Sequence, residues 1–209
     1  MTVSYFMIRI KISTVKNEFK QLQIFAIVAF CFCLLSSCNL ETEYEKVKKR
    51  ELASGIVFKE LFLGLEFEMA RKQFFETCWE LNRQGILING AHELMVRYQP
   101  ELPSGNPVNM FFYPRFEQEK IYYMPVEFQY QDWFPTNPNT TSENLVDDVV
   151  KLFESWYGEG FFKVEDKAGA FAMVKIDGNR LIRVYIKSLS AVRVDILDMR
   201  VRDIKDISK

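Results

Sequence analysis

The spacing of apolar residues predicts an amphipathic helix over residues 70–83. Phe74, Cys78 and Leu81 recur every three or four positions, so they share one face of a helix. Gly85 follows at the position where a left-handed residue commonly ends a helix. We therefore expect this face to be buried and Cys78 to be a free cysteine within it.

A second helix follows the segment 135–142, which is rich in turn formers and divides the chain into two halves. Thr140 together with Glu143, or Ser142 alone, is expected to cap its N-terminus. The helix extends to about Tyr157. Its apolar stripe consists of Leu145, Val149, Phe153 and Trp156.

Alternating apolar and polar residues predict three strands after the first helix. A short strand lies within residues 92–99, and residues 108–116 and 120–130 form a hairpin around the polar turn 117–119. Pro114 and Pro125 each lack a backbone donor, which favours positions at or near a sheet edge. The predicted face of the longest strand carries Tyr122, Met124, Val126, Phe128 and Tyr130.

Three more strands are predicted after the second helix. Asp177-Gly178 lies between two alternating arms, which is typical of a tight hairpin. In the last strand, over residues 191–201, the apolar phase changes, which predicts a bulge or bend near Ile196.

These elements predict an α+β fold built from two αβββ units, residues 55–134 and 135–209. One helix is too small to cover six strands, so we expect both helices on one face of a mostly antiparallel sheet. The halves would then form one compact domain.

The first 38 residues have the charge and hydropathy of an export signal. Four basic residues against one glutamate give them a net charge of +3, and a 12-residue apolar run follows from Ile24 to Leu35. As a helix this run would rise only about 18 Å, which is too short to cross a bilayer. It fits the apolar core of a signal peptide over residues 1–37, with Met7 as an alternative start.

Leu35, Ser36, Ser37 and Cys38 resemble the lipobox of bacterial lipoproteins. The resemblance implies cleavage before Cys38, acylation of that cysteine and a membrane anchor made of several acyl chains. Asn39 in the next position resembles lipoproteins that reach the outer membrane, facing the periplasm or the cell surface. Residues 38–54 are charged and are predicted to form a solvated tether.

The residue types do not predict a metal site or a catalytic signature. Cys31, Cys33 and Cys38 cluster in the signal region, and the single histidine, His92, lies at no ligand-like spacing from them. Carboxylate pairs such as Asp147-Asp148, or Glu66 with Glu68, are expected on exposed faces. The mildly acidic body after residue 38 also lacks the positive field typical of nucleic-acid binding.

The segment "LGLEFEMARKQFFETCWELNRQG", Leu63 to Gly85, resembles small outer-membrane lipoproteins of the SmpA/BamE type. The paired arrangement is similar to that of beta-lactamase inhibitor proteins. The resemblance implies a scaffold that binds other envelope proteins.

The sequence therefore predicts a non-catalytic, outer-membrane-anchored binding or scaffold module without a cofactor. Its partner would be an envelope protein or polymer, contacted through exposed aromatic residues such as Tyr123, Tyr130 and Trp133. The alternative is an envelope hydrolase or small-ligand carrier with a carboxylate-lined pocket.

Overall fold

The computed structural model describes residues 41–89, 95–166 and 168–207 of the 209-residue chain. In this part of the chain an antiparallel sheet of nine strands combines with four helices, which confirms the α+β class. The helices are α1 (Glu43–Ala53), α2 (Arg71–Arg83), α3 (Ser142–Tyr157) and α4 (Ile204–Ile207). The strands are β1 (Leu87–Asn89), β2 (Val96–Tyr98), β3 (Val108–Phe112), β4 (Arg115–Glu117), β5 (Lys120–Tyr130), β6 (Phe162–Glu165), β7 (Phe171–Asp177), β8 (Arg180–Ser188) and β9 (Ala191–Asp198).

The strand order is β1-β2-β3-β5-β9-β8-β7-β6, with the short β4 paired to the start of β5. Each half contributes four strands to this order, one more than the sequence predicts, because β1 and β6 are too short for a clear alternation. The last strands of the two halves, β5 and β9, pair at the centre, where Val126 opposes Val194. Both halves place a helix before their strands, and a duplication of the unit stays a prediction.

One face of the sheet, here called the first face, carries the main hydrophobic core. Leu145, Val149 and Phe153 of α3 are buried there against β5, β8 and β9, as the helical stripe predicts. Helix α2 joins the same core mainly through Phe74, while Trp79 on its outer side is 67% exposed. The two predicted helices therefore lie on one face, as expected.

The opposite, second face carries a smaller core. Leu181 of β8 and Leu197 of β9 oppose each other there and pack with residues of α1 and α4. Because β9 is covered on both sides, both of its phases contain apolar residues, and its pairing runs without a shift through Ile196. The predicted bulge near Ile196 is therefore wrong, and the irregularity lies instead in β8 between Ile186 and Ser188.

Helix α1 occupies most of the segment for which the sequence predicts a solvated tether. Two of its apolar residues, Tyr44 and Val47, pack into the second-face core, and Lys48 forms an ion pair with Asp203. Glu51 accepts a hydrogen bond from the backbone N–H of Gly178 at 3.2 Å. Tertiary contacts therefore stabilise this helix, which its charged composition alone does not indicate.

Strand β5 is central, so the prediction that Pro125 places it at or near a sheet edge is wrong. On one side β4 pairs with Lys120–Tyr123 and β3 pairs with Val126–Tyr130. Pro125 lies in the gap between these two ladders, where the missing N–H costs no hydrogen bond. Tyr122 also differs from prediction, because it packs with the second-face core, while the residues from Met124 to Tyr130 follow the predicted alternation.

The structure also revises the N-terminal cap of α3. Thr141 is the capping residue, and its hydroxyl accepts a hydrogen bond from the backbone N–H of Asn144 at 3.2 Å. The predicted ends of both long helices are confirmed, since α2 ends at Arg83 and α3 at Tyr157. Gly85 and Gly158, which follow them, have positive φ.

The β7–β8 turn fixes the chain that leaves α1. The side chain of Asn179, which is 2% exposed, accepts a hydrogen bond from the N–H of Phe58 at 2.6 Å. Gly178 has a φ of +52°, and a Cβ atom there would lie 2.2 Å from the carbonyl oxygen of Ile56. Only glycine allows the two segments to approach this closely.

We expect Gly178→Ala to lower the free energy of unfolding more than Gly105→Ala does. Gly105 also has a positive φ but no atom within 4 Å of its virtual Cβ, so its substitution carries only the backbone cost of about 1–2 kcal/mol. The clash with Ile56 should add a further cost of about 1–3 kcal/mol. Urea unfolding of both variants measures the difference, and equal losses would contradict the close contact.

We expect the docking of α1 to weaken in acid. The hydrogen bond from Lys48 holds the pKa of Asp203 below its ordinary value of 3.8. The ionised form therefore stabilises the folded state above that value, and this stabilisation is lost as the pH falls through the lower, folded-state pKa. Hydrogen-exchange protection factors of residues 43–53 should fall between pH 5 and pH 2.5.

The Asp203→Asn variant is the control. Its α1 should already exchange faster at pH 5 and change less on acidification than the unsubstituted chain. An unchanged protection factor at pH 5 in this variant would show that the ion pair does not hold the helix.

Candidate functional site

A cavity of about 570 Å³ opens on the second face of the sheet. Strands β5 to β9 form its floor, and Tyr44 of α1 and Ile204 and Ile207 of α4 form part of its wall. Its volume lies in the range of small-molecule sites. We call this cavity the second-face pocket.

Asp195 lies at the polar end of the pocket and is 1% exposed. Its Oδ1 accepts hydrogen bonds from the Tyr123 hydroxyl at 2.6 Å and from Arg193 Nε at 3.2 Å. Its Oδ2 accepts from Nη2 and Nε of Arg183 at 2.6 and 3.1 Å. Four donors occupy this carboxylate, so it is a structural anchor for the arginines rather than a free proton acceptor.

Three arginines lie in the pocket lining around this anchor. Arg183 and Arg193 share the one carboxylate, and Arg115 lies nearby with its guanidinium 5.5 Å from the centre of the Tyr123 ring. No ion pair of Arg115 is present among the described residues.

The other carboxylates of the pocket lining have partners of their own. Glu165 forms an ion pair with Lys163 at 2.5 Å. Asp166 accepts hydrogen bonds from the backbone N–H groups of Ala168 and Ala170 at 2.8 and 2.9 Å, which closes the β6–β7 turn. Neither carboxylate forms an ion pair with Arg115 or Arg193 among the described residues.

Tyr44 brings a hydroxyl group to the same pocket. This hydroxyl is enclosed and has no hydrogen-bond partner among the described residues. Burial, with a further contribution from Asp203 and Glu45, raises the pKa of Tyr44 to about 12. The hydroxyl is therefore protonated at neutral pH and can donate a hydrogen bond.

The rest of the pocket is apolar. The walls between β6, β7, β8 and α4 include Val164, Phe171, Val174, Leu181, Ile204 and Ile207. No cysteine, serine or histidine lies among the described lining residues, so the arrangement favours binding through hydrogen bonds, charge and apolar contact.

The structure does not bring the three predicted partner-binding residues together. Tyr123 lies in the second-face pocket, whereas Tyr130 is buried on the first face and donates to Asp148 at 2.6 Å. Trp133 lies in a loop beyond β5, where its Nε1 donates to the carbonyl oxygen of Leu189 at 3.1 Å. Phe134 next to it is 63% exposed, so an aromatic surface exists there, separate from the pocket.

The remaining predicted residues lie elsewhere. Cys38, its lipobox residues 35–37 and His92 are outside the described residues. Glu68 is on the surface, where hydrogen bonds from Lys59 and Arg200 lower its pKa. Cys78 is half-buried in α2, and burial raises the pKa of its thiol to about 12, so it is a poor nucleophile.

Metal and membrane features can be stated for the described residues only. They contain no cluster of three metal-ligating side chains of the histidine, cysteine or carboxylate type. None of their helices combines the length and the apolar character needed to span a bilayer.

The sequence gives little indication of the pocket residues. In β8 and β9, Arg183, Tyr185, Arg193 and Asp195 alternate with valine and isoleucine. Such a polar phase is typical of a solvent-facing strand surface. Which of these side chains lie next to each other depends on the register of β8 and β9, in which Arg183 opposes Asp195 and Tyr185 opposes Arg193.

No protein-family model, curated protein or solved structure matches this chain. The geometry of its own residues therefore carries the functional interpretation.

We expect Asp195→Asn to destabilise the fold by about 3–5 kcal/mol, because it leaves two arginines without their buried counter-charge. The free energy of unfolding in urea measures this loss. Asp147→Asn, on the exposed side of α3, is the matched control and should change stability by less than about 0.5 kcal/mol. Similar values for the two variants would show that Asp195 does not anchor the arginines.

Proposed function

We propose that this chain is a bacterial lipoprotein that acts as a non-catalytic binding module at the outer membrane. The second-face pocket is its binding site. The observation that carries the binding role is Asp195, whose oxygens are all engaged by Tyr123, Arg183 and Arg193 inside an open cavity. A carboxylate with this pairing holds cationic side chains in fixed positions, where they can contact a ligand.

The lipoprotein assignment is supported by the order of features before the folded part. A basic segment, a short apolar run and the four residues Leu35-Ser36-Ser37-Cys38 follow each other, as in a lipobox signal. Acylation of Cys38 would supply more than one chain, which is the condition for stable anchoring.

Helix α1 changes the expected consequence of such an anchor. It begins five residues after Cys38, and five extended residues span at most about 18 Å. Because α1 packs into the second-face core, a lipid on Cys38 would hold the folded part close to the bilayer instead of on a long tether. The partner or ligand would then be met at the membrane surface.

A small-ligand carrier is the second candidate, because the cavity is large and mostly apolar. The hydrolase version of this alternative requires a free carboxylate or another nucleophile in the pocket. The pairing of Asp195, Glu165 and Asp166 argues against that version.

We expect Cys38→Ser to abolish lipid attachment, because the sulfur at this position would carry the first acyl group. Bacterial cells that express the chain would be fed a clickable palmitate analogue, and the protein would be followed in membrane and soluble fractions. The unsubstituted chain should be labelled and recovered with the membranes.

Cys33→Ser is the matched control, since it lies in the same apolar region but before the proposed cleavage site. It should be labelled like the unsubstituted chain. Labelling of Cys38→Ser, or loss of labelling in Cys33→Ser, would contradict the lipoprotein proposal.

A further inference from the structure

We propose that the second-face pocket binds an uncharged amphiphile, a molecule with an aliphatic chain and a carbonyl group, such as an acyl ester. This inference rests on the proposed binding role of the pocket and names the chemical class of its ligand. The aliphatic chain would lie between the β6–β7 side of the pocket and α4. The carbonyl oxygen would accept a hydrogen bond from the Tyr44 hydroxyl.

The charged side chains of the pocket lining are balanced in number. Three arginines and three carboxylates line the pocket: Arg115, Arg183, Arg193, Glu165, Asp166 and Asp195. Each of these carboxylates already forms an ion pair or accepts hydrogen bonds within the chain. Arg115, which has no ion pair among the described residues, is exposed, so water already solvates its charge. The lining therefore offers no buried counter-charge to a charged ligand group, which would lose its hydration without compensation.

The Tyr44 hydroxyl indicates the polar part of the ligand. It has no hydrogen-bond partner in the described part of the chain, and burial, followed by Asp203 and Glu45, raises the pKa of Tyr44 to about 12. A protonated hydroxyl without a partner is a donor that lacks an acceptor. The two carboxylates act on this hydroxyl more strongly than Arg183 does, so they would repel an anionic acceptor. A neutral carbonyl oxygen accepts the hydrogen bond without that repulsion.

The apolar walls indicate the other part of the ligand. Val164 and Phe171 lie on the sheet side of the pocket, and Ile207 lies on the helix side. All three are only partly buried, so they form two apolar surfaces that face the cavity. An aliphatic chain between these surfaces would remove apolar area from water on both sides, which is the main favourable contribution to the binding of such molecules.

The binding experiment uses the full chain with Cys38→Ser, so that its result does not depend on lipidation. Monododecanoylglycerol, dodecanoate and dodecyltrimethylammonium are titrated below their aggregation concentrations and followed by calorimetry. The three compounds share the aliphatic chain and differ in charge. The neutral ester should bind at one site per chain, and the anion and the cation should each bind at least about tenfold more weakly, because their charged groups find no buried counter-charge.

Tyr44→Phe tests the position of the carbonyl group. It should weaken binding of monododecanoylglycerol by about three- to tenfold, because one hydrogen bond is lost. The ether analogue dodecylglycerol lacks the carbonyl, and its binding should change less in this variant. The melting temperature of the free chain should stay unchanged or rise, since the variant removes an unpaired buried hydroxyl. Tyr98→Phe, on the first face, is the matched control and should leave binding of the ester unchanged.

Val164→Gln tests the position of the aliphatic chain. Val164 lies in the edge strand β6 and is partly exposed, so the variant should fold. It should weaken binding of monododecanoylglycerol by about three- to tenfold, because a polar side chain replaces part of the apolar wall. Val57→Gln is the matched control, since Val57 is 44% exposed and lies outside the pocket lining.

A flotation experiment identifies the source of the ligand. The chain is incubated with phosphatidylcholine vesicles that contain diacylglycerol, the vesicles are removed by flotation, and the protein fraction is analysed by mass spectrometry. Diacylglycerol in the protein fraction would support the proposed class and show that the pocket takes an ester from a membrane. Its absence, together with binding of monododecanoylglycerol, would support the same class with a free ester as the ligand.

Equal or tighter binding of either charged compound would overturn the proposed ligand class. Unchanged binding of monododecanoylglycerol in Tyr44→Phe or in Val164→Gln, or the absence of binding by this ester, would also overturn it. These results would not affect the assignment of lipid attachment at Cys38, because palmitate labelling tests it separately.

Discussion

The structure depends on a carboxylate that has almost no contact with water. Asp195 is 1% exposed, at the centre of the sheet, and a buried charge of this kind is tolerated only with matched donors. Tyr123 from β5 and Arg183 from β8 supply donors from the two strands that flank β9. The same pairing therefore ties together strands from both halves of the chain and directs arginines toward the second-face pocket.

The central strands are covered on both faces of the sheet, and this explains which predictions succeed. Helices α2 and α3 lie within one residue of their predicted bounds, because each carries a continuous apolar stripe and ends in glycine. The residues of β5 that point to the first face can also be recognised from the sequence, since every second residue from Met124 to Tyr130 is apolar. In β9, the face that carries Arg193 and Asp195 continues with the apolar Leu197, and this change of pattern is mistaken for a bulge.

The second face is where sequence reasoning fails, and the reason is physical. Helix α1 has too few apolar residues to be recognised, and it is stabilised by contacts more than 100 residues away, such as Lys48 with Asp203. The pocket residues Arg183 and Asp195 are indistinguishable in sequence from a solvated strand face. Of the predicted binding residues, Tyr123 alone lies in the pocket. Its side chain is buried and hydrogen-bonded, whereas the sequence predicts an exposed aromatic residue.

The position of β9 has a consequence for how the chain acquires its structure. This strand follows the other eight described strands along the chain, yet it lies at the centre of the sheet and pairs with β5, about 70 residues earlier. Until β9 is available, β5 and β8 both present open edges, and neither half can complete its hydrophobic core. Such long-range pairing slows folding, because the long connection between β5 and β9 must close before their contacts can form.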